Sequence, residues 1–489
     1  MTILSKKLLL VIAAAVMMAG GMVPAEAKLV LRNPCADGMV LQQKSAATVF
    51  GIADPRATVT VQTSWNGKSY NCRADEKGLW DVKVATPAAS YTNYTIRVSS
   101  GRESVTVRDV LIGEVWLASG QSNMEIPVKG FDGCPVEGYQ EAVSAAPMPD
   151  RIRMFMIPVK QSFTPEVEVE GRWLKATPDE VPDMSAVAYW FSREVNKVLD
   201  VPVGIVYCAY GGSRVEGWLP EEVLRGYGTE NLDHDHIMQM GRYGRPFMMY
   251  NAMLHPLMGY TIQGFLWYQG CSNVGFDEQF VPRMTDMVRI FRAGFGDTQG
   301  LLPFYQVEIA PYVYDADASD SESRAARLRA AQHACDKAIP NLATVVTNDL
   351  VAPYEKTNIH PARKRPIGER LAWLALNRTY GFSRIACDSP RAVALTLEDG
   401  AACIRLEHAE RALNRTFEVE GLEMRGRGGA WYPVTSISFN GDTMRLRSEH
   451  VAVPAEVRYG WGDFKPGNLA NRYGLPLVPF WLKIERQQQ

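Results

Sequence analysis

The sequence predicts an α/β protein: a parallel sheet covered by helices on both faces, with a β-rich domain at either end. Three observations point there. Between about Val110 and Ala386, near-continuous apolar runs alternate with segments of helical period, as parallel strands joined by crossover helices require. Before and after that stretch the period drops to two, with Gly, Pro, Asn and Asp between short runs, which marks antiparallel strands. A chain of 489 residues also exceeds what one core organises, since domains run to roughly 100–200 residues. The expected organisation is an export signal over 1–27, an antiparallel β domain over 28–109, an α/β/α domain over 110–386 and a second β-rich domain over 387–489.

The chain opens with "MTILSKKLLLVIAAAVMMAGGMVPAEAK", where Lys6 and Lys7 precede a short apolar stretch and Ala25-Glu26-Ala27. That order of basic start, apolar core and small-residue site is a secretory signal peptide, cleaved before Lys28. The apolar core falls short of the roughly 20 residues a spanning helix needs, and no later run approaches that length, so the protein is expected to be periplasmic or extracellular without a membrane span. The next runs, "ATVTVQTSW", "LWDVKVAT", "NYTIRVSS" and "ESVTVRDV", alternate strictly and hold no candidate for chemistry. In the middle region the strands are "VLIGEVWLA", "VPVGIVYCAY", "TIQGFLWYQ", "LPFYQVEIA" and "ATVVTNDL". Helices fall on "SAVAYWFSREVNKVL", "PRMTDMVRIFRAGF", "SRAARLRAAQHACDKAI" and "PIGERLAWLALNRTYG". Beyond Cys387, "RAVALTLEDG", "ACIRLEH", "TFEVEGL", "DTMRLRS" and "AEVRYGWGD" return to strand alternation.

Lys and Arg total 52 against 54 Asp and Glu, so no net field exists to hold nucleic acid or an anionic membrane. The partner is then a small molecule or a neutral polymer. Eight cysteines are scattered without a C-x-x-C pair, which argues against structural zinc. Export permits disulfides, but several of these cysteines sit in apolar runs where a free buried thiol is the simpler reading, and any pairing stays open.

In an open α/β sheet the site lies at the carboxyl ends of the strands. Three strands end alike: "VWLA" runs into "SGQSNM", "GIVYCAY" into "GGSRVEGW" and "GFLWY" into "QGCSN". A core needs none of these residues, whereas acyl transfer needs a nucleophile, a base and donors aimed at an oxyanion. Ser122 is the candidate nucleophile, although a serine at a strand-to-helix junction is more often a helix N-cap. The backbone N–H groups of Ser122 and of Gly211 or Gly212, and the side-chain amide of Gln269, are the candidate oxyanion donors. Ordinary turns and a buried amide are their plainer explanations.

Among seven histidines, His360 in "TNIHPARKRPIGERLA" follows a strand by a loop and can lean back toward Ser122. His255 is a weaker candidate because it precedes its strand. His333 lies in a helical segment, and His408 and His450 belong to the last β region. His234 and His236, two apart in an acidic loop, lack a third ligand at a matching spacing, so they are read as solvated and no metal site is expected.

The segments "GEVWLASGQSNME", "YGGSRVEGW", "YNAMLHPLMGYTIQGFLWYQGCSN", "NIHPARKRPIGERLA" and "VRYGWGDFKPGNLANRYGLPLVPF" together resemble the sialate O-acetylesterase family of SGNH (GDSL-type) hydrolases. "ADGMVLQQKSAATVFGIADP" is similar to the N-terminal β region of that family. The resemblance covers nearly the whole mature chain. It implies a three-layer α/β/α hydrolase domain with Ser122 as nucleophile, Gly211 or Gly212 and Gln269 at the oxyanion, His360 as base, and no cofactor. Ser122 does not stand in a G-x-S-x-G elbow. Two positions depart from the family pattern. Where many members carry an acid three residues before the histidine, this chain has Thr357, leaving Asp349, Glu355 or no carboxylate as third member. Cys271 replaces the glutamate of "WYQGESN".

The substrate this implies is an O-acetylated sugar, first of all sialic acid, with acetylated xylan or another carbohydrate as the alternative and a catalytically retired glycan-binding protein as the alternative of another class. A sialic acid brings a carboxylate, for which Arg214 is the candidate clamp. Its competing role is an ion pair with Glu216 or Glu221. Trp218 and Asn273 are further candidate substrate contacts, and Trp267 and Trp461 are aromatic surfaces that could stack on sugar or simply pack.

Overall fold

The computed structural model describes residues 29–315, 319, 322–410, 413–414 and 418–484. The signal expected over 1–27 lies outside them. The central sheet is built from β1 (Glu103–Gly120), β2 (Met148–Met156), β3 (Arg172–Ala176), β4 (Val203–Ala209), β5 (Gly264–Tyr268), β6 (Phe304–Val307) and β7 (Leu342–Val345), in the order β3-β2-β4-β1-β5-β6-β7. Every neighbouring pair is parallel except the edge pair β2 and β3. The sheet is therefore mixed by one antiparallel edge strand, where the sequence suggested a purely parallel one. β2 escaped the apolar-run criterion because Arg151 and Arg153 interrupt it. Arg153 is nonetheless fully buried, held by Asp109 at 2.7 Å and Asp150 at 3.0 Å.

The helices that bear on the site are α1 (Ser122–Glu125), α2 (Ala186–Leu199), α3 (Asp277–Gly294), α4 (Arg324–Ala338) and α5 (Arg365–Leu374). Strand alternation assigns them to two layers. Val115 and Leu117 of β1 join a core with Met284, Met287 and Phe291 of α3 and Leu328 of α4. Trp116 and Ala118 point the other way, to Val187 and Phe191 of α2 and Ile367 and Leu371 of α5. Both faces are thus apolar because both are covered, which is why the strands read as continuous apolar runs. Burying each such large side chain stabilises the fold by roughly 1.5–3 kcal/mol. Ser185 and Ser323 cap α2 and α4, accepting from the N–H groups of Ala188 and Ala326.

In the N-terminal region, Val30–Leu31, Ala46–Ile52 and Leu79–Ala85 form a three-stranded antiparallel sheet. The boundary expected near Asp109 falls inside a single strand, because β1 runs for 18 residues. Its first half pairs antiparallel with Ser90–Ser100, Leu111–Gly113 pair parallel with Val40–Gln42, and its second half lies between β4 and β5. Asp109 takes a positive φ of 58°, but its carboxylate is neutralised by Arg153 and, at 2.6 Å, by Lys175, so the strand continues.

The C-terminal region holds two four-stranded sheets around a core of its own, with Ile404, Met424, Met444, Leu446 and Val457 at the centre. It is tied to the α/β domain through Asp463, whose carboxylate accepts from Ser323 Oγ at 2.6 Å and whose backbone carbonyl accepts from the Tyr312 N–H at 3.0 Å. All eight cysteines are free thiols. No helix among the described residues is long and apolar enough to cross a membrane.

Candidate active site

β1 is flanked by β4 on one side and β5 on the other, and all three end at the same rim. At that rim the chain must leave the sheet at once. Gly120 allows it: its φ is 137°, and a Cβ there would meet the Tyr268 carbonyl oxygen at 2.3 Å. The Gln121 N–H then donates to Tyr268 O at 2.9 Å and the Tyr210 N–H to Gly120 O at 3.0 Å, so the turn is pinned to both neighbouring strands.

Ser122 opens α1, but it does not cap it. The cap position belongs to Gln121, with no side-chain capping bond, while Ser122 Oγ lies 2.7 Å from His360 Nε2. The residues on either side of Ser122 are both buried and both brace other loops. Gln121 Oε1 accepts from the Gly270 N–H at 2.8 Å, tying the end of β5 to the serine turn. Asn123 Nδ2 donates to Ile359 O at 3.0 Å, and Asn123 Oδ1 accepts from Lys364 Nζ at 2.6 Å, tying in the histidine loop. Two core-averse side chains thus flank the serine because each serves as a cross-brace.

His360 is held by its own backbone. Its N–H donates to Asn358 Oδ1 at 3.0 Å, and its ring meets Phe131 edge-on with centroids 5.5 Å apart. Neither carboxylate considered as third member reaches it. Asp349 is bound by Arg370 at 2.6 and 2.8 Å, and Glu355 accepts from the Ala352 and Ala362 N–H groups at 2.8 Å each. The neighbour of His360 Nδ1 is Cys134 Sγ at 3.9 Å. Of the alternatives the sequence left open, the geometry is that of a serine–histidine pair without a carboxylate. Burial, and then the charge of Lys364, push the His360 pKa down to about 4, so the imidazole is neutral at pH 7 and able to take a proton.

The cleft above Ser122 has a volume of about 410 Å³. Gly211 and Gly212 line it, as expected, and so do Glu125, Phe131, Tyr210, Arg242, Tyr243 and Ser272. Gly212 has a φ of 70°, and a side chain there would meet the Tyr243 ring at 2.8 Å. The Glu125 carboxylate leans on the Gly211 N–H. Burial raises its pKa, and that N–H and the charge of Arg242 draw it back.

Four expected site residues do not face the cleft. Gln269 is fully buried, and its Nε2 donates to Ser213 O at 3.0 Å and Asn273 Oδ1 at 2.7 Å, so its amide hydrogens are not available to an oxyanion. Asn273 is buried beside it, accepting also from the Val215 N–H at 3.0 Å and donating to Glu216. Arg214 turns away to Glu216, 3.6 Å off, and stacks over Phe276 at 3.9 Å. Trp218 is fully buried, donating from Nε1 to Ser213 Oγ at 2.9 Å and packing edge-on against Trp267. Trp461 packs against Trp481 in the C-terminal region.

Three of the other six histidines are engaged away from the cleft. His255 Nδ1 lies 2.7 Å from Glu166 O, His333 Nε2 2.7 Å from Glu308, and His234 stacks on Phe163 at 4.1 Å. Among the described residues, no three His, Cys, Asp or Glu side chains converge as a metal site would require.

Sequence reading missed Glu125 and Arg242. Glu125 was findable, since it stands one helical turn after Ser122 in the same motif and so shares its face. Arg242 and Tyr243 lie in "GRYGRP", a loop without period or motif, and carried no signal.

Comparisons with known proteins place the chain among carbohydrate esterases. Residues 112–377 match the family model described as a carbohydrate esterase, sialic acid-specific acetylesterase. The chain is similar to human sialate O-acetylesterase, 26% identical over 467 residues and covering 86% of each chain. The mouse sialate O-acetylesterase is also 26% identical, covering 86% of this chain and 87% of that one. Among solved structures, a carbohydrate acetylesterase of Xanthomonas citri superposes with a TM-score of 0.81 at 32% identity, covering 94% of this chain and all of that one.

Proposed function

Because the chain belongs to the sialic acid-specific acetylesterase family of carbohydrate esterases and is a carboxylic ester hydrolase, we propose that it removes O-acetyl groups from sialic acids through an acetyl-enzyme on Ser122. The observation that carries the chemistry is the 2.7 Å contact between Ser122 Oγ and His360 Nε2 at the floor of the cleft. As Ser122 Oγ bonds to the acetyl carbonyl carbon, its proton passes to His360 Nε2 and the carbonyl electrons move to oxygen. The oxyanion is met by the Ser122 N–H, with Gly212, and Gly211 once Glu125 yields its N–H, as the second source of donors. The tetrahedral intermediate collapses, the sugar oxygen leaves with the proton from His360, and the acetyl group stays on Ser122. Water then gives a proton to the same nitrogen, attacks the acetyl-enzyme and releases acetate. The chemistry requires no metal or organic cofactor.

Arg242 supports sialic acid over a neutral sugar. It is the Arg or Lys side chain among the residues that line the cleft, and a substrate carboxylate is its natural complement. The test is acetate release from 9-O-acetylated sialic acid beside release from an acetylated xylo-oligosaccharide. Replacing Arg242 with Ala is expected to raise KM for the sialic acid roughly three- to tenfold and to leave the xylo-oligosaccharide within about twofold. Equal effects on both, or faster turnover of the neutral sugar by the unaltered protein, would move the substrate to acetylated plant-type glycans.

The N-terminal sequence pattern supports export to the periplasm or the exterior. N-terminal sequencing of the exported protein is expected to begin near Lys28, and an intact Met1 on exported protein would sink that reading.

A further inference from the structure

Behind the serine–histidine pair lies a buried side chain that the chemistry above does not use. Lys364 has no exposed surface at all, and among the described residues its Nζ has one hydrogen-bond partner, Asn123 Oδ1, at 2.6 Å. Asn123 passes that contact on: its Nδ2 donates to the carbonyl of Ile359, the residue before His360, at 3.0 Å. The N–H of that same Ile359–His360 peptide is held by Asn358 Oδ1 at 3.0 Å. A third-member carboxylate, absent here, would hold the imidazole directly. In this protein the ring is aimed through its backbone, and the chain of contacts doing so ends at Lys364.

We propose that Lys364 is a positioning residue for His360, acting through Asn123 and the Ile359 carbonyl, and that it performs this task as the uncharged amine. The groups facing it decide the second part. Around Nζ stand Asn123 from α1, the Tyr268 ring 5.8 Å away at the end of β5, Cys271 after β5, Cys134 from the 131–134 turn, Glu355 from the loop after β7, and His360 itself. Tyr314 and Arg329 lie beyond Cys271. Glu355 is the single carboxylate in that set, and both its oxygens are already committed to backbone N–H groups. Cys271, at the position where family members carry a glutamate, is itself pushed toward the neutral thiol by burial. An ammonium so enclosed has no ion-pair partner among the described residues, and burial lowers the Lys364 pKa to about 7. The sign for catalysis follows directly. A charged Lys364 opposes the imidazolium that forms as His360 takes the serine proton, whereas a neutral one does not, and the neutral amine still donates one hydrogen to Asn123.

The inference rests on the assignment of Ser122 and His360, and the test separates the two. The probe is p-nitrophenyl acetate, with kcat and KM followed from pH 4.5 to 9 for the unaltered protein and for the Lys364→Met and Ser122→Ala variants. In the unaltered protein kcat should rise through an inflection near pH 7, well above the value of about 4 to which burial and the charge of Lys364 bring His360. Lys364→Met should lower the plateau kcat tenfold or more with KM within about twofold, and should move the acid limb down by more than one pH unit. A merely structural role would lower stability without moving that limb. A kcat flat from pH 5.5 upward in the unaltered protein overturns the proposal even if the variant fails to fold, and so does an unshifted limb in a folded Lys364→Met variant. Full hydrolysis by Ser122→Ala would instead overturn the reading beneath it.

Discussion

Replacing Ser122 with Ala is expected to remove roughly 10⁴- to 10⁶-fold of kcat while leaving sugar affinity nearly intact. The hydroxyl is the group that makes the covalent bond, and removing a nucleophile that works as a unit with its base costs the whole of that unit's contribution. The fold should tolerate the change. Ser122 Oγ bonds to His360 and is not a helix cap, and the turn around it is held by Gln121 and Asn123. A His360→Ala change added to Ser122→Ala should therefore cost little more than either alone, which acetate release from the two single variants and the double variant measures. Multiplicative losses would mean that the two side chains do not act together, and retained hydrolysis in Ser122→Ala would remove the serine from the mechanism.

The second large effect is on stability. Glu216 and Arg283 are 3% and 2% exposed, paired with each other, and joined by Glu230 and by the Nδ2 of Asn273 at 3.1 and 3.2 Å. Glu216→Ala would leave the Arg283 guanidinium in the interior with its main counter-charge gone, a cost of about 3–5 kcal/mol. Set against a net stability of about 5–15 kcal/mol, that is a large fraction of the total. The thermal midpoint of the α/β domain should fall on the order of 10 °C. A midpoint unchanged within about 2 °C would show that this ion cluster is solvated and not load-carrying. Replacing the cluster by apolar residues together is a different experiment, since removing both charges avoids the orphaned one.

These two cases also show what was readable from sequence and what was not. Ser122 and His360 were legible because their positions follow from where strands end, and the strand ends are written in the change from apolar runs to small and polar residues. The layers were legible for the same reason, since Val115 and Leu117 must part from Trp116 and Ala118 in a two-sided sheet. Orientation of a side chain at a correctly placed strand end was not legible. Gln269, Asn273, Arg214 and Trp218 all stand at the expected rim, but Glu216 and Ser213 draw them below it. The partner that decides the matter, Arg283, is 67 residues away along the chain from Glu216. Arg242 enters the cleft from a loop whose course is set by tertiary contacts, such as Gln161 Nε2 on its carbonyl at 2.5 Å, and no local pattern encodes that. The boundary drawn at Asp109 falls inside β1, where contacts with Arg153 and Lys175, remote in sequence, let the strand run on through a charged residue.

That continuous strand makes the N-terminal β region and the Ser122 turn parts of a single tensile member. Residues of β1 pair with Ser90–Ser100 at one end and deliver Gly120 to the rim at the other, and Val40, Val107, Val115 and Leu117 share one core. Displacement of the β region would be transmitted along the same hydrogen-bonded backbone to Ser122. The region is therefore no detachable accessory that a lineage could exchange for another binding module at Asp109. A splice at that point would sever ladder bonds to Ser90–Ser100 and Val40–Gln42 and expose the shared core, so the two parts are expected to have been inherited, and to melt, together.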